Sequence, residues 1–206
     1  MQLGAARQSP RMWWLRSPAV SALPRNPHKA SATQTPTKNA FSPGDVIAIL
    51  RERAWIEGEP SLAQVNWCGH VAASLGTHAA DRAALEELLA LIFRYDAREI
   101  LSRVESHVVL SRHAARDVVR QLALYLLDRA PLTSGRFSEV VGALKYGLTA
   151  RGRELFHPLR LALAGRAGEG ELDRVILLLD EAAALGFAVA VKPARERILE
   201  FCAALD

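Results

Sequence analysis

Five basic side chains, Lys145, Arg151, Arg153, Arg160 and Arg166, fall between positions 145 and 166 beside a single acid, Glu154. Ammonium and guanidinium groups gathered this closely suit phosphate, and the planar arginine fork also holds a flat acceptor edge through two hydrogen bonds. Beneath the charge the span is apolar. Leu155, Phe156, Leu159, Leu161 and Leu163 predict a helix with a buried face. Pro158 is expected in the first turn of that helix, where its missing N–H costs nothing. Gly165 is expected to stop it as a left-handed cap. A small-residue loop, Arg166–Gly170, then leads into a helix opening at Glu171. A basic helix end facing a glycine loop and a second helix N-terminus can hold phosphates or bases.

Other kinds of chemistry find little support. His28, His70, His78, His107, His113 and His157 are scattered, and His107 and His113, six positions apart, do not share a helix face. No cysteine pair completes a zinc set. Cys68 and Cys202 are far apart on expected apolar helix faces and read as buried thiols rather than disulfide partners. No glycine-rich phosphate loop follows a strand pattern, and no Ser/His/Asp or Cys/His set converges. The expectation is a chain without a cofactor and without catalysis of its own.

Gly152 to Gly165 read Gly-Arg-Glu-Leu-Phe-His-Pro-Leu-Arg-Leu-Ala-Leu-Ala-Gly, with Glu171-Leu172 closing the loop that follows. This order closely resembles the C-terminal anticodon-binding domain of bacterial glutamyl-tRNA synthetases. The family pattern is roughly Gly-Lys-x-Leu-Phe-x-Pro-Leu-Arg-Val-Ala-Leu-Thr-Gly, then a loop ending Gly-Pro-Glu-Leu. The likeness runs with decreasing clarity from about Val108 to the C-terminus. It implies an all-α helical bundle of the class I glutamyl-tRNA synthetase type, with tRNA as ligand and tRNA-Glu as the named candidate. In the family the arginine of Pro-Leu-Arg and the closing leucine touch anticodon bases, which assigns base contacts to Arg160 and Leu172. Arg151, Arg153 and Arg166 would then be phosphate contacts, and Lys145 joins them as RNA-binding. From the residues alone, Arg160 reads instead as ion-paired with Glu154 or Glu171. Two places depart from the family: Ala164 stands where it has threonine, and Glu169-Gly170 where it has Gly-Pro. The added negative charge and lost proline predict relaxed anticodon preference. The family's nucleotide-binding signatures, a His-rich ATP motif and a Lys-Met-Ser-Lys loop, do not occur.

Half of the 206 residues are hydrophobic and only 6% aromatic, so Leu, Ala and Val must pack the core, as in helical proteins. Charge is uneven. Residues 1–40 hold Arg7, Arg11, Arg16, Arg25, Lys29 and Lys38 and no acid, whereas the remaining 166 carry 20 basic against 22 acidic side chains. That first segment, rich in Pro, Ser and Thr and without apolar period, is expected to be a disordered basic extension. An organellar transit peptide is its alternative use, and Trp13-Trp14 has no account. A helical subdomain over 41–107 and an anticodon-binding-like helical subdomain over 108–206 are expected to follow.

Within them the predicted helices begin with one capped by Ser42, with Pro43 and Asp45 in its first turn. The second spans Ser61–Leu75 with Leu62, Val65, Cys68, Ala72 and Leu75 inward. Ala79–Tyr95 and Ala97–Val104 follow, then a long helix capped by Ser111 and running through Leu127. Ser134–Leu148 precedes the central span; Glu171–Leu185 and a last helix opened by Pro193 come after it, joined by a short extended link over Phe187–Val191. No stretch reaches the eighteen apolar residues of a membrane span.

The expected function is a non-catalytic tRNA-binding module. Two alternatives stand beside it: a fragment supporting glutamyl-tRNA aminoacylation with a separate synthetase catalytic chain, and a helical protein-interaction adaptor that has lost RNA. The expected compartment is the cytoplasm, or a mitochondrion or plastid if the first 40 residues are a transit peptide.

Overall fold

Reciprocal caps start the first helices where the sequence puts them. The computed structural model describes residues 41–206, so the basic extension, Trp13-Trp14 and the transit-peptide reading lie outside the described residues. The Ser42 hydroxyl accepts the Asp45 amide while the Asp45 carboxylate receives the Ser42 amide, and Pro43 fills the first position of α1 (Pro43–Glu52). Ser61 and Gln64 form the same box at α2 (Leu62–Ser74). Asp81 caps α3 (Arg82–Phe93) and Asp96 caps α4 (Ala97–Ser102). Further on lie α5 (Val104–Leu110), α6 (Ala115–Tyr125) and α7 (Ser134–Gly147), the last capped by Thr133. The chain finishes with α8 (Arg153–Ala164), α9 (Glu171–Leu177), α10 (Leu179–Ala183) and α11 (Ala194–Leu205). Among the described residues no strand occurs, and the class is all-α.

Several expected boundaries move, each for a local reason. Ser111 does not cap a long helix; it ends α5, its hydroxyl donating to Val108 O at 3.1 Å, and α6 starts without a side-chain cap. The sequence pattern does not anticipate α5, because Val104 and Val108 face solvent and leave it no apolar stripe. Fully buried Ser106 anchors it instead, donating to Ile100 O at 2.5 Å. Position 107/108 lies inside this helix, and elements on both sides of it contribute to one core. In α2, Leu62 is exposed and Trp67, Cys68 and Val71 turn inward. The run from Glu171 breaks at Leu178, whose carbonyl accepts the Trp67 indole N–H at 3.3 Å. Phe187–Val191 is irregular, tied by the Ala188 amide to Trp55 O at 3.0 Å.

The helix carrying the basic motif also starts earlier than expected. Gly152, at φ 52°, turns the chain, and its carbonyl accepts the amides of Leu155 and Phe156. Pro158 therefore sits in the second turn of α8, not the first. An interior proline costs a helix about 3 kcal/mol, which burial of the ring here partly offsets. Gly165 does end the helix in the left-handed region, at φ 77°. A Cβ there would also stand 3.0 Å from Ile100 Cδ1, so the position needs glycine on two counts.

Two centres hold the helices together. One is α8, enclosed from Leu159 to Ala164 and packed on α5, α6, α9 and α11; α11 in turn packs on α4 and α6. The other is aromatic. Trp55 stacks on Phe93 with ring centres 4.6 Å apart, and Trp67 and Phe187 meet Phe93 edge-on.

Between these centres the interior holds a full charge. Arg197 has no exposed surface. Its Nε donates to Lys192 O at 2.9 Å, its Nη1 to Leu91 O and Leu163 O at 2.9 Å each, and its Nη2 to Ile92 O at 2.5 Å. Leu91, Ile92 and Leu163 belong to the last turns of α3 and α8, whose carbonyls lack helical partners and carry partial negative charge. One cation answers both helix ends. Its guanidinium lies 4.6 Å from the Tyr95 ring, whose hydroxyl donates to Ala162 O at 2.5 Å. Burial pulls Arg197 down to about 10, leaving it charged at neutral pH, and pushes the Tyr95 phenol up, keeping it neutral. Asp180 does the converse for amides, accepting Leu132 N at 2.6 Å and Ala194 N at 2.7 Å.

Candidate nucleic-acid interface

The basic residues of the motif divide according to which face of α8 or its neighbours they occupy. Arg160 and Leu172 turn inward. Leu172 has no exposed surface. Arg160 is 7% exposed, and its fork closes on the protein: Nε and Nη2 donate to the Asp173 carboxylate at 2.7 and 2.8 Å, and Nη1 to Gly168 O at 2.6 Å. Its guanidinium also lies 4.8 Å from the Phe156 ring. Both base contacts are thereby corrected: a leucine sealed in the core reaches no base, and every nitrogen of the Arg160 fork already has an acceptor. The ion-paired reading of Arg160 holds, with a different acid. The register of α9 presents Asp173 rather than Glu171, and Glu154 stays exposed on the first turn of α8.

Lys145, Arg151 and Arg153 remain in water. Arg151 lies over the end of α7, its Nη1 donating to Leu148 O and Ala150 O at 2.7 Å each. Arg153 pairs with Glu169 at 3.4 Å, but both side chains are at least 70% exposed, and such pairs contribute about 0–1 kcal/mol. Lys145 leans over Phe156, its ammonium 5.4 Å from the ring. Arg166 stands apart: beyond the Gly165 cap, it is separated from Arg153 by the length of α8, roughly 18–20 Å at 1.5 Å per residue. The structure thus brings three of the six expected residues together on one exposed face.

That face has members the sequence reading did not single out. Arg112, from the turn between α5 and α6, places Nη1 3.2 Å from His157 Nδ1. Arginine only donates, so Nδ1 must accept and the imidazole proton sits on Nε2, which is buried without a partner. Burial, and then the charges of Arg112 and Arg153, hold the His157 imidazole below the ordinary histidine range, against the opposing pull of Glu169. Half-buried Phe156 and His157 are therefore the hub on which Arg112, Lys145, Arg153 and Arg160 converge, from the α5–α6 turn, α7 and α8. Nothing in the sequence marks Arg112, which stands 45 positions from its partner.

Among the described residues no group of three or more His, Cys, Asp or Glu side chains is placed to hold a metal ion, and no helix is long and apolar enough to cross a membrane. Comparison with family models, with curated proteins and with solved structures gave no match.

Proposed function

We propose that this chain is a non-catalytic RNA-binding module of the helical type used by glutamyl-tRNA synthetases to hold the anticodon arm, and that its ligand is tRNA. The observation that carries the reading is the convergence of Arg112, Lys145 and Arg153, from three separate segments, around Phe156 and His157. Cations spaced over several elements match a chain of phosphates better than a single small anion. The Gly152–Gly165 motif supplies the link to tRNA in particular. With Arg160 engaged by Asp173, recognition rests on the RNA backbone and shape, so anticodon preference is weak.

The test is binding of bulk tRNA by the full chain across a salt series. Arg112→Ala, Lys145→Ala and Arg153→Ala are each expected to reduce the salt slope by roughly 0.7–0.9, the change for one lost phosphate contact. Absence of tRNA binding by the wild type at low salt removes the reading. The protein-interaction adaptor then takes its place, favoured by a separate feature: Leu124, Tyr125 and Leu127 are 59, 40 and 48% exposed at the turn between α6 and α7.

A further inference from the structure

The RNA-binding reading leaves one conspicuous side chain unused. Tyr146, on the last turn of α7, is 95% exposed, more than any other large hydrophobic residue among those described. A tyrosine ring is a large apolar surface with a polar hydroxyl at its tip, so one left wholly in water is an open contact surface. Its flanks are bare. Gly142 lies one helical turn before it and Gly147 directly after, and a Cβ added to either glycine would meet nothing within 4 Å. No neighbouring side chain at those positions covers the ring from the helix itself.

Positive charge lies close to it along the chain. Lys145 precedes it, and Arg151 is anchored over the same helix end by the Leu148 and Ala150 carbonyls. From Val140 to Arg153 the chain contains no acid. A flat, uncharged ring on the helix end that also carries Lys145 and Arg151 has the composition of a single-strand platform: the cations hold phosphates while a base stacks on the aromatic face. A protein partner would find here a lone ring among charges, without the surrounding apolar surface that interface cores use.

We infer that Tyr146 is a stacking platform for an unpaired nucleotide of the bound RNA, lying beside the phosphate-binding face formed by Arg112, Lys145 and Arg153. The inference rests on the RNA-binding reading and adds to it the class of RNA: one that offers an unstacked base, as a loop does and a duplex does not. Because Tyr146 packs on nothing, its replacement leaves the fold intact, and thermal unfolding of each variant verifies this.

The experiment measures binding of the full chain to a labelled RNA hairpin with a single-stranded loop and to a blunt RNA duplex of equal length. Tyr146→Ala is expected to weaken hairpin binding about 5- to 150-fold, the range for losing one base–aromatic stack, and to leave duplex binding within twofold. Tyr146→Phe, which keeps the ring and loses the hydroxyl, is expected to bind the hairpin as the wild type does. Arg153→Ala is expected to weaken both RNAs alike. Equal hairpin affinity for Tyr146→Ala and wild type, while Arg153→Ala still weakens binding, overturns the platform and leaves the RNA-binding reading in place. An equal loss on hairpin and duplex for Tyr146→Ala likewise rules out stacking. Failure of the wild type to bind either RNA at low salt overturns both.

Discussion

Arg197 and Arg153 carry the same guanidinium into opposite surroundings. Around Arg197 the chain has closed four backbone carbonyls from three segments, and none of its hydrogen-bond acceptors is a carboxylate. Around Arg153 it has left solvent, one loosely paired glutamate and a histidine that its charge helps keep neutral. Arg160 stands between the two, buried like the first but neutralised by Asp173. Counting arginines therefore says little about ligand binding. What matters is whether the acceptors for each fork already lie in the protein. By that measure Arg197 is architecture and Arg160 joins α8 to α9, while Arg112, Lys145 and Arg153 are the cations on which the proposed RNA-binding role draws.

The contrast breaks most visibly at Arg197. Arg197→Ala removes the donor from the buried carbonyls of Ile92 and Leu163 and the part-buried carbonyl of Leu91 together, and each buried group left without a partner costs about 1–3 kcal/mol. A loss of roughly 3–5 kcal/mol is expected in urea unfolding, a large share of the stability of an ordinary domain. Arg197→Lys is not expected to restore it, since a point ammonium does not span acceptors set for a planar fork. Wild-type stability in either variant would remove the clamp from the account.

Arg160→Ala comes next. It leaves Asp173, 21% exposed at its side chain, without its partner. The expected loss is about 2–3 kcal/mol by denaturant midpoint, below the usual range for a broken buried pair because Asp173 regains water. The same variant, at temperatures where it is folded, is expected to bind tRNAs of every anticodon as the wild type does. Selective loss for one anticodon would return Arg160 to base reading.

Arg153→Ala sharpens the other side. Stability is expected to change by less than about 0.5 kcal/mol, as for most exposed positions, while the affinity for all RNAs falls together. Calorimetric unfolding beside the salt series separates the two readouts.

The smallest effect is on pH. The folded state holds His157 below its ordinary value of 6.5, so folding favours the neutral ring. The contribution is complete above the unfolded value and is lost as pH falls from there through the depressed folded value. His157→Gln is expected to flatten that part of the stability profile between about pH 7 and 5, when urea midpoints of both proteins are compared.

The parts of this molecule legible in the sequence are those decided within one turn. Ser42 with Asp45, Pro43 at its helix start and Gly165 at its helix end depend on neighbours three or four residues away, and all three stand as expected. The apolar face of α3, with Leu85, Leu88, Leu89 and Ile92, is likewise local. Illegible features depend on distance along the chain. Arg197 donates to carbonyls, which every residue possesses and no side-chain pattern advertises. Arg112 meets His157 only because α5 and α8 pack, and α5 itself lacks the stripe that would betray it. At the candidate site the sequence marks a basic stretch but not which of its side chains turn inward. Lys145 and Arg153 are exposed, but Arg160 is not, because Asp173, thirteen residues on, reaches it once α9 folds back.

The Arg197 clamp also has a consequence for birth on the ribosome. Leu91 and Arg197 are 106 positions apart, so at about 5–20 residues per second the end of α3 is made roughly 5–20 s before the side chain that satisfies it. Through that interval the early helices can collapse and pair, but their carbonyl ends stay open to water or to unwanted partners. Vectorial synthesis cannot lock this domain piece by piece. Its final setting waits for α11 to emerge, and translation arrested before Arg197 leaves a nascent chain with the ends of α3 and α8 unclamped.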